Sequence, residues 1–452
     1  MRVAIIGSGI AGLAAAHTLL NEGGGAHAIT LFEAADYFGG HTHTVDITLP
    51  GPSGPVTHGV DTGFLVFNQR TYPGLIALFD ELGVDTAPSD MSFSVQVKTG
   101  PAGAPGRSLE WSGTSLASVF AQRSNLFNWR FLQMLRDLRR FNALCTRLAT
   151  QGDDTQMRQP LGEFLNQHGF SKAFCDWYFL PMVASIWSCP THQMLAFPVA
   201  TMIRFCHNHG LLQISNRPAW WTVSGGARHY VEKITARLDD KRLNSPVLAI
   251  ERLTCATAGL RITTHTGAEY FDRLIIATHP DQALKMLKAP SPVEARTLGA
   301  IRFHANQAVL HTDESVLPAR QSAWAAWNYE RAVQTPPSSP APAAGAGPDV
   351  CLHYLINKLQ PLPWRQSVIV SLNPLREIAP AQVLGEFAYA HPVFDQAAIK
   401  AQRQLAWLQG QQNTFYSGAW MGYGFHEDGF KAGVDAARQV MGKVPNREAL
   451  AA

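Results

Sequence analysis

Three observations predict an α/β fold made of two units. A short apolar strand at the N-terminus runs straight into a glycine-rich turn, a helix and a second strand. Glycine motifs return at intervals to the far end of the chain, each beside a strand or helix pattern. The intervening stretches have a different character, being rich in aromatic residues and arginine. A chain of 452 residues, 46% hydrophobic and 16% charged, is long enough for two or three domains around a large core.

The elements justify that fold in order. Residues 2–6 read as a buried strand rich in β-branched residues, followed by Gly7-Ser8-Gly9-Ile10-Ala11-Gly12 and an apolar helix through Leu20. Ala28 to Phe32 form the next strand, which ends at Glu33, 21 residues after Gly12. Strand, tight turn, helix, strand and acid together make the Rossmann-type dinucleotide fingerprint. Gly7 permits the turn, Gly9 lets the backbone approach a pyrophosphate, and Gly12 lets the helix pack closely. Ser8 and Ala11 complete that turn, whose N–H groups face the phosphates, and Glu33 accepts from ribose hydroxyls.

Further motifs follow: Gly39-Gly40-His41, Val60-Asp61-Thr62-Gly63-Phe64 and Thr222-Val223-Ser224-Gly225-Gly226-Ala227, the last running into an amphipathic helix. Strands are expected at Pro246 to Ile250 and Leu260 to Thr264, and Phe271 to Thr278 returns the chain to the nucleotide unit. Gly422 to Gly429 opens a final helix through about Val440.

These five motifs, in this order from residue 2 to about 440, resemble the FAD-dependent amine oxidase superfamily, which also holds phytoene desaturases and protoporphyrinogen oxidases. The C-terminal Gly-Phe-His-Glu-Asp-Gly stretch resembles a narrower group of flavoproteins associated with cyclopropane-fatty-acid synthases. The resemblance implies a glutathione-reductase-type FAD-binding domain with an inserted α+β substrate domain. It implies bound FAD, with Gly40 and His41 beside the phosphates and Val247 holding the adenine through its backbone. Thr62, Gly63 and Phe64 would pass close to the flavin, with Thr278 also at the cofactor. Phe425 would face the ring, and His426, Asp428 and Gly429 would bring a helix N-terminus to the flavin C2 carbonyl. His41 stands where many relatives carry Arg. No cysteine occupies the C-terminal flavin-proximal stretch, so the FAD is expected to be non-covalent.

On this reading the FAD domain comprises residues 1–75, 215–290 and 410–445, and the substrate domain 76–214 and 291–409. The first insert begins with a strand at Ser92 to Lys98 and becomes helical from about Leu116. The second begins with a strand, Ala305 to Leu310, roofing the flavin. The Pro/Ala/Ser tract Gln334 to Pro348 carries no charge and is expected to be a surface loop.

Of 37 basic residues, 27 are Arg, and six of these (123, 130, 136, 139, 140, 147) fall between Ala121 and Thr150 against one acid, Asp137. Apolar residues recur there at helical spacing, so residues 121–150 read as one amphipathic helix. Two readings stand: a core helix with a solvated Arg face, and an interfacial helix contacting membrane phosphate.

Composition excludes several classes. No apolar run approaches the roughly 18 residues of a spanning helix, and a net charge of +3 supports neither disorder nor nucleic-acid binding. The six cysteines form no CxxC pair or zinc-ligand spacing, and the N-terminus shows no leader pattern, so a cytoplasmic protein with reduced thiols is expected. His41/His43 and His207/His209 are HxH pairs, but no metal is expected.

For chemistry, the flavin accepts hydride and the protein supplies position and electrostatics. By family pattern Gln307 falls near the position where amine oxidases place a Lys that holds water against N5. His304 lies on the same expected strand, and Tyr389, His391 and Phe425 are candidates for the pocket rim. The leading expectation is an FAD-dependent oxidoreductase acting on a lipid or fatty-acyl chain, desaturase- or oxidase-like and peripheral to the inner membrane face. Two alternatives stay open: an oxidase of small amines, and a non-catalytic flavoprotein partner of a lipid methyltransferase.

Overall fold

The computed structural model describes residues 1–97, 108–151, 159–213, 217–253, 259–331 and 350–443. Lys98, Cys255, the boundary expected at 215 and the tract Gln334 to Pro348 lie outside them. Five sheets order the chain, and the α/β expectation holds. A five-stranded, wholly parallel sheet has the order Asp240–Arg242, Ala28–Phe32, Arg2–Ile6, Arg273–Ile276, Thr414–Tyr416. Its central strands are apolar on both sides because helices cover one face and the antiparallel sheet Ala249–Arg252, Leu260–Thr264, Gly267–Phe271 packs on the other. Helices Ile10–Glu22 and His426–Val440 pack together on it, and a Cβ on Gly433 would lie 2.2 Å from the Ala11 carbonyl oxygen. Only glycine permits that approach.

A seven-stranded sheet has the order Val383–Pro392, Phe303–His311, Ile369–Leu372, Cys351–Leu355, Trp327–Arg331, Phe93–Val97, Leu109–Ser112. Its pairings are antiparallel except for Trp327–Arg331 beside Phe93–Val97. A large core joins this sheet to the helices within 129–151 and 161–208, through residues such as Trp111, Phe131, Phe179 and Phe197. Among the described residues, no helix is long and apolar enough to cross a membrane.

Some elements differ from expectation for local reasons. The strand expected from Pro246 begins at Ala249. Upstream, the Asn244 and Ser245 N–H groups donate instead to the Ala35 and Glu33 carbonyls, and Pro246 has no N–H to give a ladder. The single helix expected over 121–150 is broken. A 3-10 turn, Arg123–Phe127, precedes helix Trp129–Gln151, and Asn128 between them is extended, with its Oδ1 accepting from the Phe131 N–H at 3.4 Å. An Asn side chain at a helix start competes with helical backbone and sets the boundary there.

Candidate active site

The site begins at the N-terminus of helix Ile10–Glu22. Gly9 caps that helix without a side-chain hydrogen bond, and no acidic residue lies in the first turn. Its first N–H groups therefore point outward uncapped, the condition for binding an anion. A Cβ on Gly9 would meet nothing within 4 Å, whereas one on Gly7 or Gly12 would strike the Ala277 carbonyl oxygen at 2.7 Å or the Gly7 carbonyl oxygen at 1.9 Å. The open space is thus at Gly9, where a pyrophosphate fits, and the flanking glycines serve packing. Gly40, with φ +59°, brings a second turn against it, so that a Cβ there would lie 3.1 Å from the Gly9 Cα.

Glu33 closes the same pocket. Its Oε2 accepts from the Ser8 N–H (2.9 Å) and hydroxyl (2.6 Å), and its Oε1 from the Ala35 N–H (2.9 Å). Oε2 is thus filled by its two donors, while Oε1, with one, keeps a lone pair for a ribose hydroxyl. Val247 is buried just beyond Ser245, whose N–H reaches the Glu33 carbonyl. Ala11 is buried behind the turn, and Thr278 follows Ala277, whose N–H reaches the Ile6 carbonyl.

Farther in, a group of aromatic and imidazole rings converges. The His41 ring lies 5.1 Å from Tyr389, 5.2 Å from His391 and 6.4 Å from His279. Burial, with His279 nearby, pushes His41 down to about 4, and its Nε2 has no hydrogen-bond partner. Such an orphaned atom, with the open cradle at Gly9, fits a large polar cofactor between these walls. Burial and the neighbouring histidines push His391 down to about 3, and burial does the same to His426. All three rings are neutral near pH 7.

His391 is oriented from the roof sheet. Asn373 Nδ2 donates to Asn306 Oδ1 (2.7 Å), and Asn306 Nδ2 donates to His391 Nδ1 (2.9 Å). That chain leaves the imidazole proton on Nε2. Tyr389 Oη lies 2.6 Å from Thr62 Oγ1 and 3.1 Å from His43 Nδ1, and burial keeps this phenol protonated. Thr62 and Phe64 are fixed by their N–H bonds to the carbonyls of His43 and His41, and Gly63 packs so tightly on His41 that a Cβ would lie 2.2 Å from its carbonyl oxygen.

The final helix enters from the other side. Phe64 stacks on His426 at 3.7 Å, and His426 Nε2 lies 2.9 Å from Thr42 Oγ1. Phe425 caps the helix and stacks on Phe205 at 4.8 Å, with Trp187 at 6.2 Å. Asp428 accepts from the Phe425 N–H at 3.0 Å, and burial lifts its carboxyl to about 6. Gly429 lets the helix pack on Ile10, 2.7 Å from where its Cβ would be.

His304 and Asn306 pair with His391 and Tyr389 across the roof strands and share their face. Gln307 does not join them. It is exposed on the opposite face, bonded to Glu386 Oε2 (3.2 Å) and, through its N–H, to Asn373 Oδ1 (2.9 Å), because adjacent residues of a strand point to opposite sides. A water-holding role for Gln307 over the flavin is therefore discarded. Of the histidine pairs, His43 turns to Tyr389, and His209 Nδ1 lies 3.0 Å from the carbonyl oxygen of Phe205.

Asn306, expected on the roof strand without a role of its own, and Asn373, His279 and Asp61, which no expectation named as site residues, also belong to the site. The first three carry no motif of their own and meet only through strand pairing. Asp61 lay in a motif already singled out, and its burial was the signal. It accepts from Thr44 Oγ1 (2.5 Å), the Ala227 N–H (2.9 Å) and Gln360 Nε2 (2.7 Å), while burial pushes its carboxyl up to about 7.

The comparisons with known proteins agree with this geometry. A family profile described as flavin containing amine oxidoreductase matches residues 10–362. A Mycobacterium tuberculosis protein with the provisional name flavin-containing monoamine oxidase AofH is 25% identical over 300 residues, 66% of this chain, and the match spans only 61% of that curated relative. Among solved structures, the CLA-producing fatty acid isomerase from P. acnes superposes with a TM-score of 0.61 at 18% identity, covering 97% of this chain and 98% of that one. Putrescine oxidase bound to putrescine gives 0.65 at 14% identity, covering 98% and 99%. At such identities these two establish a shared fold.

Proposed function

Because the chain belongs to the family of flavin-containing amine oxidoreductases, and is an FAD-dependent oxidoreductase, we propose that its substrate is an apolar acyl chain. One observation carries this reading: among the described residues, the site offers an aromatic wall and no carboxylate free of donors to pair with an ammonium group. His41, His391 and His426 are held neutral by burial. The carboxylates bordering the site are already engaged. Asp61 takes three donors, Asp428 binds the Phe425 N–H, and Glu427 accepts from the Gly74 and Leu75 N–H groups at 3.0 Å each. Burying an unpaired ammonium among such groups costs several kcal/mol, on the order of the penalty for an isolated charge, whereas a hydrocarbon chain gains about 0.8 kcal/mol per CH₂.

FAD, when bound, supplies a two-electron acceptor. The chain's residues hold and shield it. The uncapped N-terminus beside Gly9 and the Glu33 carboxylate hold the nucleotide end. The N-terminus of helix His426–Val440 places a partial positive charge at the inner end, where it stabilises negative charge. Phe205, Phe425 and Trp187 exclude water and align the chain. His391 presents a fixed Nε2–H, and the protonated Tyr389 hydroxyl ties the Thr62 segment to the roof. An activated C–H, such as an allylic one, suits this set, since hydride loss there needs no strong base.

Anaerobic mixing of the holoprotein with a substrate panel tests the proposal. Unsaturated fatty acids or phospholipids are expected to bleach the flavin absorbance, and putrescine and benzylamine to leave it unchanged. Bleaching by the amines alone overturns the acyl reading and favours an amine oxidase.

A further inference from the structure

Over most of the described surface, exposed large apolar side chains occur singly, as Trp407, Leu248 and Leu375 do, and such residues need no partner. One stretch is different. Leu116, Leu126, Phe127, Trp129 and Leu132 are all exposed, Phe127 by 90% and Trp129 by 66%. The break at Asn128 creates this surface. Phe131 turns inward, packing edge-on against Trp111 and Phe120, and Met134 and Phe141 follow it into the core. The opposite stripe of the helix, at spacings of three, four and then seven, runs Trp129, Leu132, Arg136, Arg140 and Arg147. Its N-terminal end is apolar and its continuation is basic.

Charge sharpens the picture. Asp137 is the sole acid between Ala121 and Gln151. It is buried, accepting from the Ser171 N–H at 3.0 Å and lying 3.4 Å from Arg140. Arg140 is further occupied by the His168 carbonyl oxygen and the Phe170 ring. Arg123, Arg130, Arg136 and Arg139 remain on the exposed surface, with the Arg130 guanidinium 5.8 Å from the Trp129 ring. Between Ala121 and Gln151 no exposed acid offsets them, so a second copy of the same face would be repelled. A partner with an apolar layer behind an anionic layer is complementary to it. At 1.5 Å per residue, Arg136 lies about 10 Å along the helix from Trp129.

We propose that this surface docks the protein on a bilayer containing anionic phospholipid. Leu126, Phe127, Trp129 and Leu132 enter the acyl boundary, and Arg123, Arg130, Arg136 and Arg139 meet the phosphates. The proposal goes beyond the flavin chemistry and holds for either substrate class.

The test is flotation of the holoprotein with phosphatidylcholine vesicles, with and without phosphatidylglycerol. Binding is expected to the anionic vesicles, at least about tenfold above that to the neutral ones, and to weaken with salt as surface charge is screened. The double variant Phe127→Ser, Trp129→Ser and the triple variant Arg123→Glu, Arg130→Glu, Arg136→Glu are each expected to lose binding by about tenfold or more. Every substituted side chain is exposed, so both variants should keep the flavin absorbance and melting temperature of the parent. Absence of binding to anionic vesicles overturns the proposal. So does binding that both variants retain, or a dimer in sedimentation that the double variant splits. None of these readouts depends on turnover, so they stand apart from the flavin-bleaching result.

Discussion

A Cβ built on Gly9 meets no protein atom within 4 Å, while one built on Gly12 lands 1.9 Å from the Gly7 carbonyl oxygen. The two glycines of one motif thus answer to different constraints, the first to the cofactor and the second to the protein. Gly9→Asp is expected to keep or raise the melting temperature of the FAD-free protein, because Asp is a favoured N-cap, worth about a few tenths of a kcal/mol over Gly. The same carboxylate repels the pyrophosphate, and FAD affinity should fall by about tenfold or more, roughly 1.4 kcal/mol or above. Gly12→Ala should instead destabilise the FAD-free protein by about 1–3 kcal/mol through overpacking. Thermal melts and flavin titration separate the two, and equal losses of stability would refute the distinction. At this scale the turn from Gly7 to Gly12 and the acid Glu33 were legible, since their spacing is local. Gln307 was not. A strand reverses its face at every residue, so an offset of one separates Gln307, outside, from Asn306, which bonds His391. The roles of Asn306, Asn373 and His279 depend on pairings between distant strands, which no local pattern announces.

Elements are joined at this site by Asp61, at the end of strand Gly54–Asp61. Its carboxylate holds Thr44 of the paired strand, the Ala227 N–H before helix Arg228–Thr235, and Gln360 after helix Ile356–Leu359. Two motifs that looked separate in the sequence, around Asp61 and around Gly225-Gly226, are therefore one junction. Asp61→Asn puts an NH₂ group where donors already converge. It should cost about 1–3 kcal/mol, the range for leaving buried polar groups unsatisfied, and lower the melting temperature by several degrees. A melt unchanged from the parent would show that the junction is not structural. Periodicity located the long elements well, as with strand Leu260–Thr264 and the final helix ending at Val440. It failed at Asn128, because apolar spacing of three and four continues across a break that only the backbone geometry of Asn128 reveals. That failure had a consequence for the surface: residues counted toward one amphipathic face divide between core, as Phe131 does, and solvent, as Phe127 does.

Over the whole molecule, loops leaving the parallel sheet meet the seven-stranded sheet at rings that burial keeps uncharged. His41, His391 and His426 lie there, and His311, on the Gln307 face of the roof sheet, is also pushed down to about 4 by burial. Each folded-state value lies below the ordinary 6.5 of histidine. As pH falls, the unfolded chain binds these protons first, so the stability they contribute is present above about pH 6.5 and is lost toward pH 4. Asp61 and Asp428 act in the opposite sense. Their carboxyls are raised to about 7 and about 6, so the native state takes up their protons earlier than the unfolded chain does. With His209, likewise held down to about 4 by burial, five histidines against two carboxylates give a net loss on acidification. The melting temperature of the FAD-free protein should therefore fall steadily between about pH 6.5 and pH 4. His391→Gln can gain no proton there, while its amide can still accept from Asn306, so its curve should be shallower than the parent's over the same window. Saturating FAD, which binds only the folded state, should lift the whole curve. A level melting temperature across that window, or a His391→Gln curve as steep as the parent's, would mean that these buried rings do not set the acid stability of the fold.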